Sequence, residues 1–310
     1  MEEEALYQQL RPLMFSIAYR MVGSVSEAED IVQDSFLRFH AASSGGVEIR
    51  SPKAFLSAVT TRLCIDHLRS ARARRESYVG SWLPEPLLTD PGADASRHAE
   101  VADSLSLAFL VLLESLTPVE RAVFLLREVF DYGYGEIAAI LGKGEDNCRQ
   151  LAVRARRQVE ARKPRFEASR RRREELARRF FAAAEQGDTE GLVGLLAADA
   201  VAYGDGGGRA LAFPHPVHGR EQVARLLLGL RNRVLSLGLS WRPVEVNGQP
   251  GALFLDRDGG LVFVVSLDIV GSVQAVRAIS NPEKLRHLGR VSDALARPHG
   301  LDAPGPPSPE

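Results

Sequence analysis

The segment Asp131–Arg162, DYGYGEIAAILGKGEDNCRQLAVRARRQVEAR, reads as a short helix, a glycine-containing turn and a longer helix studded with arginine. Ile137, Ala138 and Leu141 fall at inward spacing over Gly135–Leu141, and Gly142 stands where a left-handed helix stop belongs. In the second helix Cys148, Ala152, Ala155 and Val159 make one apolar stripe, which leaves Asn147, Arg149, Gln150 and Arg154 facing away. A stripe of small residues allows close packing on the first helix. The outer face then offers forked donors for guanine edges and phosphates, the arrangement of a helix-turn-helix. The same pattern also fits an ordinary αα-hairpin with a solvated basic face, so the flanking sequence has to decide.

The whole chain has 310 residues, 45% hydrophobic and 25% charged, with a formal net charge of −1. That suits two or three globular domains and excludes a global field that would draw the chain to nucleic acid. Charge is instead local. Arg149–Arg179 holds 13 Arg/Lys against 4 Glu, and Arg50–Arg75 holds 7 basic residues against one Asp. Such blocks suit phosphate contact, and they equally suit a solvated surface. Cys64 and Cys148 lie far apart in helical patterns, and no Cys/His cluster has metal-ligand spacing. The acidic opening MEEEA does not resemble a secretory signal, and no apolar run reaches membrane-spanning length. The expectation is a reduced, cytoplasmic protein without membrane contact, metal or other cofactor.

Towards the N-terminus, helix Ala5–Met21 ends near Gly23, and Ser26 with Glu29 forms a capping box for a second helix. Ala28, Ile31, Val32, Phe36 and Phe39 share its buried face. Asp30, Gln33, Asp34 and Leu37 share the opposite one, a stripe fit for a basic partner or for solvent. After the loop His40–Arg50, Ser51-Pro52 starts a third helix with Phe55, Val59 and Leu63 inward. Arg62, Asp66 and Arg69 share its outer face, followed by Arg72, Arg74 and Arg75, a polar surface able to receive unstacked single-stranded bases.

SEAEDIVQDSFLRFH with SPKAFLSAVTTRLCIDHLRSARARR resembles region two of extracytoplasmic-function sigma factors, and TPVERAVFLLREVFDYGYGEIAAILGKGEDNCRQLAVRARRQV resembles their region four. Order and separation also match. The resemblance implies that Asp30, Gln33, Asp34 and Leu37 dock on RNA polymerase core, and that Arg62, Asp66, Arg69 and Arg72 read and melt the −10 promoter element. It further implies that Asn147, Arg149, Gln150 and Arg154 read the −35 element, with Lys143, Arg156 and Arg157 nearer phosphates. Lys143-Gly144 departs from the hydroxyl cap of many relatives, and Glu145 and Asp146 bring negative charge towards DNA.

Between the two regions, SYVGSWLPEPLLTDPGADASRHA is rich in proline and small residues, yet Trp82-Leu83-Pro84-Glu85-Pro86 is unusually apolar for a linker. After Arg170–Arg173 come an amphipathic helix Glu174–Gln186, a helix Arg220–Leu235, and strands at Ala200–Tyr203, Ala210–Phe213, Leu239–Val246, Ala252–Asp256, Leu261–Leu267 and Val273–Ser280. This order is an α+β antiparallel meander round a cavity, and it resembles the SnoaL-like, NTF2-related cone. The expected architecture is therefore multi-domain: sigma region two as a helical bundle (1–75), a linker (76–98), sigma region four with its helix-turn-helix (99–165), an α+β cone (170–290) and a disordered tail (291–310).

Asp205-Gly206-Gly207-Gly208-Arg209 and Asn281-Pro282-Glu283-Lys284-Leu285, together with Trp82–Pro86, resemble the sigma-factor subgroup with a fused SnoaL-like extension, the first two each differing from the usual signature by one conservative exchange. That subgroup implies regulation in cis, through contact between the extension and the linker, without an obligatory separate anti-sigma factor. Taken alone, the glycines also fit a tight turn and Asn-Pro a helix cap. Two other readings of the cone are a small-molecule sensor and an enzyme. For an enzyme, Asp199, Asp205, His215, His218 and Asp268 are the available acid/base groups, with Asp205 expected at the surface. No pattern among them demands catalysis.

Overall fold

Apolar residues at helical spacing turn the first half of the chain into helices, and alternating ones turn the second half into a sheet. The computed structural model describes residues 2–76, 78–89, 104–161 and 169–296; the side chains at 2, 3 and 71–76 fall outside the description. Arg72, Arg74 and Arg75 as DNA contacts, Pro164 as a helix stop, and the tail from residue 297 therefore lie outside the described residues.

Helices α1 (Glu2–Val22), α2 (Val25–Ser44) and α3 (Pro52–Glu76) form the N-terminal bundle. Gly23, at φ +73°, breaks α1 in a conformation that a side chain would strain. The break falls early enough that Ser24, rather than Ser26, caps α2; Glu29 pairs instead with Arg11 at 2.6 Å. On α3 the fully buried stripe is Leu56, Thr60, Cys64 and Leu68, with Phe55, Val59 and Leu63 half-buried beside it. Thr60 sets that orientation by donating to Ser35 Oγ at 2.9 Å.

Helices α4 (Leu107–Leu113), α5 (Pro118–Glu128), α6 (Tyr134–Leu141) and α7 (Glu145–Glu160) follow. Thr117 and Glu120 form a reciprocal capping box at α5, and Gly142 ends α6 at φ +63°. Ile137 and Ile140 are the buried residues of α6, while Ala138 and Leu141 stay half-buried. In α7 Cys148, Leu151, Ala152, Ala155 and Val159 are buried. One apolar core runs through both helical units, from Met14, Leu56 and Cys64 to Leu113, Phe124 and Ile137. Polar links cross the same boundary: Arg121 donates to Met21 O at 2.6 Å, and the Ser57 and Tyr132 hydroxyls lie 2.7 Å apart. Arg20, also buried there, sits over the Phe130 ring, and burial pushes its guanidinium down to about 10.

The C-terminal unit contains α8 (Arg170–Gln186), α9 (Thr189–Leu195), α10 (Arg220–Ser236) and a seven-stranded sheet. Its strands are β1 (Leu88–Thr89), β2 (Leu196–Asp205), β3 (Val217–His218), β4 (Ser240–Val246), β5 (Gln249–Leu255), β6 (Leu261–Val270) and β7 (Ser272–Ile279), in the order β1-β4-β5-β6-β7-β2-β3. The sheet is mixed rather than a pure meander, because the long connection through α10 returns the chain so that β2 pairs in parallel with β7. The end of the linker enters this sheet as edge strand β1. Ala210–Phe213 forms no strand. Its one bridge, Ala210 to Ala296, belongs to residues 291–296, which run along the domain and pair again at Val291 with Leu261 instead of beginning a disordered tail.

Alternation gives the sheet two different faces. Phe263, Val265 and Leu267 join Phe180, Phe181 and Val223 in a core under the helices. Val264 and Ile279 point the other way and pack with Leu83, Leu107 and Leu285. On this outer side Asp268 and Arg277 form a buried ion pair at 2.8 Å, and Arg277 lies over the Tyr203 ring.

Candidate functional site

The outer face and top edge of the cone hold the linker, and the grip is built from strand ends. Asp205, the last residue of β2, is fully buried although it belongs to a glycine-rich turn where sequence reading expects surface. Three donors satisfy it: Tyr78 OH at 2.5 Å, the Leu83 amide at 2.8 Å and Lys284 Nζ at 2.7 Å. A buried carboxylate needs such partners, and Lys284 neutralises it directly. Burial first, then the Asp205 carboxylate, push the Tyr78 phenol up, so it remains a donor. Lys284 also donates to Leu83 O and lies 4.5 Å from the Trp82 ring centre and 4.8 Å from that of Tyr78.

Around this pair, Asn281 caps the short helix α11 (Pro282–Leu285) with its side-chain oxygen and donates to Tyr78 OH with its amide. The cap and the linker contact are thus one side chain's two functions. Gly207, at φ +59°, lets the turn Gly206–Gly208 close over Asn281; a Cβ there would collide with the Asn281 side chain. Arg209 pairs with Glu283 at 3.0 Å at the surface, and Leu285 is buried against Leu83. Farther along the linker, His287 Nε2 lies 2.8 Å from Pro86 O.

The other side of the linker touches the N-terminal bundle. Glu85 accepts from Ser24 Oγ at 2.8 Å, Val25 N at 2.7 Å and Ser26 N at 3.2 Å, placing a carboxylate on the positive end of α2. Trp82 closes over Gly23, where a Cβ would come within 2.9 Å of the indole. Sequence reading missed three further participants. Asn247, in the β4–β5 turn, donates to Tyr19 OH at 2.7 Å and Leu105 O at 2.9 Å and accepts from Leu87 N at 2.8 Å. It thereby ties the cone to both helical units and to the linker. Asn247-Gly248 joins β4 to β5, and nothing local marks it as a contact; Tyr78 and Tyr19 carry no local signal at all.

The helical units present the remaining candidates. Asp30, Gln33, Asp34 and Leu37 are all exposed on one face of α2, Leu37 at 59%. Asp66 and Arg69 are exposed and paired at 3.4 Å on α3. Arg62 is not available in the same way: its guanidinium donates to Ile140 O at 2.8 Å and Ala139 O at 3.2 Å, at the end of the first helix of the helix-turn-helix. On α7 Asn147, Arg149, Gln150 and Arg154 are exposed, as expected from the stripe. Arg149 pairs with Glu145 and lies 4.7 Å from the Tyr134 ring centre, and Arg154 is 3.5 Å from Glu120. Glu145 therefore neutralises its own helix's arginine in the free protein. Of the five acid/base candidates, Asp199, His215 and His218 are exposed, while Asp205 and Asp268 are held in the ion pairs described. Both cysteines are buried and free.

Sigma-70 region 2 matches residues 6–74, and Sigma-70 region 4 matches residues 106–159. The chain is 36% identical over 293 residues to the ECF RNA polymerase sigma factor SigJ of Mycobacterium tuberculosis, covering 91% of this chain and 93% of that one. Probable ECF sigma factor SigI of the same organism is 34% identical over 194 residues, covering 62% of this chain and 66% of its own length. The crystal structure of M. tuberculosis SigJ superposes with a TM-score of 0.73 at 32% identity, covering 91% of this chain and 98% of that one. Two sigma regions in order, with an α+β unit continuous with them in a relative of nearly full length, leave one conclusion: the chain belongs to the extracytoplasmic-function RNA polymerase sigma factors.

Proposed function

We propose that this sigma factor directs promoter-specific initiation and is regulated in cis by its C-terminal cone, which holds the linker between the two sigma regions. The observation that carries this reading is the double grip on Trp82–Pro86: Asp205 and Lys284, both on Leu83, on one side, and Ser24 and Val25, through Glu85, on the other. Because linker and cone share one chain, docking proceeds at an effective concentration on the order of millimolar, and weak contacts suffice. The regulatory contact is intramolecular, so a separate anti-sigma factor is not obligatory. Core polymerase docks on Asp30, Gln33, Asp34 and Leu37.

The described arrangement is then a closed form. Elements named for −10 and −35 lie about 25 base pairs apart, or about 85 Å at about 3.4 Å per step. Arg62, assigned to the first element, touches the helix-turn-helix that reads the second. Both elements cannot be engaged until region four leaves region two, which frees Arg62 to join Asp66, Arg69 and Arg72 on the −10 strand. The cone sets the cost of that opening.

Run-off transcription with purified core polymerase tests the reading on the full chain and on chains stopped after Arg162 and after Leu288. Core-dependent initiation by the full chain, changed at the same promoter by either truncation, is the expected result. No initiation by any version overturns the sigma assignment for this chain, and identical initiation by all three overturns regulation by the cone. For the −35 face, Arg149→Ala should weaken promoter binding by about 1–3 kcal/mol and relax preference at one base position. Arg157→Ala should weaken all sequences alike and flatten the salt dependence by about one counterion. Competition binding on a panel of single-base promoter variants separates the two.

A further inference from the structure

Beneath its helices the cone holds two adjoining chambers, open to the surface, that the linker contacts leave unused. The inner one, about 140 Å³, is walled by Phe180, Phe181, Trp241, Phe254 and Phe263, with Phe254 and Phe263 stacked at 4.1 Å and Phe181 and Trp241 at 5.2 Å. The second, about 270 Å³, shares Phe213, Leu226, Leu230 and Phe263 with the first and reaches the surface past Leu211 and Arg233. An apolar cavity of about 150 Å³ stays dry and accepts a molecule the size of benzene. The inner walls are of that size and kind.

The exposed surface points to the same place. Among the described residues from Arg170 onward, the large apolar side chains left exposed are Leu211, Leu230 and Leu235, and all three border these chambers. Exposed leucines gathered round the two adjoining chambers suit a site that receives apolar material. Charge at the two rims differs. Arg231 and Glu185 border the inner chamber, where Arg231 Nε donates to Glu185 O at 2.7 Å. Arg233 borders the outer chamber and is left with no ion-pair partner among the described residues. An apolar interior with one uncommitted guanidinium at its mouth is complementary to an anionic amphiphile.

We propose that the cone binds a small amphiphile with a hydrocarbon or aromatic body and a single carboxylate, the body among the aromatic rings and the carboxylate on Arg233. The binding assignment stands on these walls; its regulatory consequence rests on the linker reading above. Gly204 and Ser280, which border the outer chamber, directly precede Asp205 and Asn281. Ser280 Oγ donates to Leu211 O at 3.1 Å, and a Cβ at Gly204 would stand 2.9 Å from the Phe213 ring. A ligand that displaces Leu211 or Phe213 therefore acts on the two strand ends that grip the linker.

The protein contains only two tryptophans, so the full chain carrying Trp82→Phe reports from Trp241 alone, in the chamber wall. Titration with decanoate should give a saturable change in Trp241 fluorescence. Arg233→Gln in that background should weaken decanoate by about tenfold, as expected for losing one charge-assisted contact, and should leave decanol within about twofold. Ala278→Leu, which narrows both chambers, should weaken both ligands; since Arg233 is exposed, its variant keeps the test valid even if the narrowed one misfolds. No saturable change with either ligand overturns the site, and equal decanoate affinity with and without Arg233 overturns the class of ligand. Polymerase is absent from this measurement, so its failure leaves the transcription result untouched.

Discussion

Lys284→Met destabilises the folded chain by about 3–5 kcal/mol, because it leaves a fully buried carboxylate without its counter-charge. Asp205 keeps only the Tyr78 hydroxyl and the Leu83 amide as donors, and Trp82 loses the ammonium over its ring. Removing both charges is milder. Asp205→Asn with Lys284→Met should recover much of the loss, since the neutral amide no longer has to be desolvated as an ion. Urea unfolding followed by tryptophan fluorescence reads the effect, with Trp82 reporting from the linker itself, and hydrogen exchange at the Leu83 amide reads it locally. Losses that add in the double variant would show that the two residues do not act as a pair.

The second large effect is expected at Asn247, whose side chain joins three parts of the protein. Asn247→Ala removes the bonds to Tyr19 OH, Leu105 O and Leu87 N and puts alanine at φ +53°. Unsatisfied buried partners cost about 1–3 kcal/mol each, and the backbone adds about 1 kcal/mol; relaxation and water keep the total near 2–4 kcal/mol. Asn247→Gly separates the two contributions, because glycine accepts the turn without strain and loses only the amide. Both variants should also enlarge the radius of gyration by X-ray scattering, as the helical units part from the cone. A chain that loses stability but keeps its size would place the effect within the cone's own hairpin.

Much of the architecture was legible because its signals are local. Thr117-Pro118-Val119-Glu120 caps a helix, Gly142 stops one, and Asp256–Gly260 turns a hairpin, all through interactions within five residues. The α7 stripe, with Asn147, Arg149, Gln150 and Arg154 opposite it, follows from period alone. Local rules failed where a distant group intervened. Ser26 with Glu29 is as good a capping box as many, yet Glu85, sixty residues on, serves the helix that Ser24 begins. Ala210–Phe213 has strand composition, but its backbone closes the glycine turn and its Phe213 fills the cone.

By itself the sequence determined the kind and order of the main helices and long strands, the two sigma regions, and which side chains their outer faces carry. Only tertiary structure decided what those faces and turns do to one another. Asp205 meets Tyr78 across 127 residues, and Asn247 meets Tyr19 across 228. No period or cap encodes such meetings, because they depend on how three units close round a linker. The same closure buries Asp205 in a turn that composition alone would leave in water, and it commits Arg62 to Ile140 and Ala139. Periodicity shows that a helix has a polar face; what that face touches follows from packing summed over the whole chain.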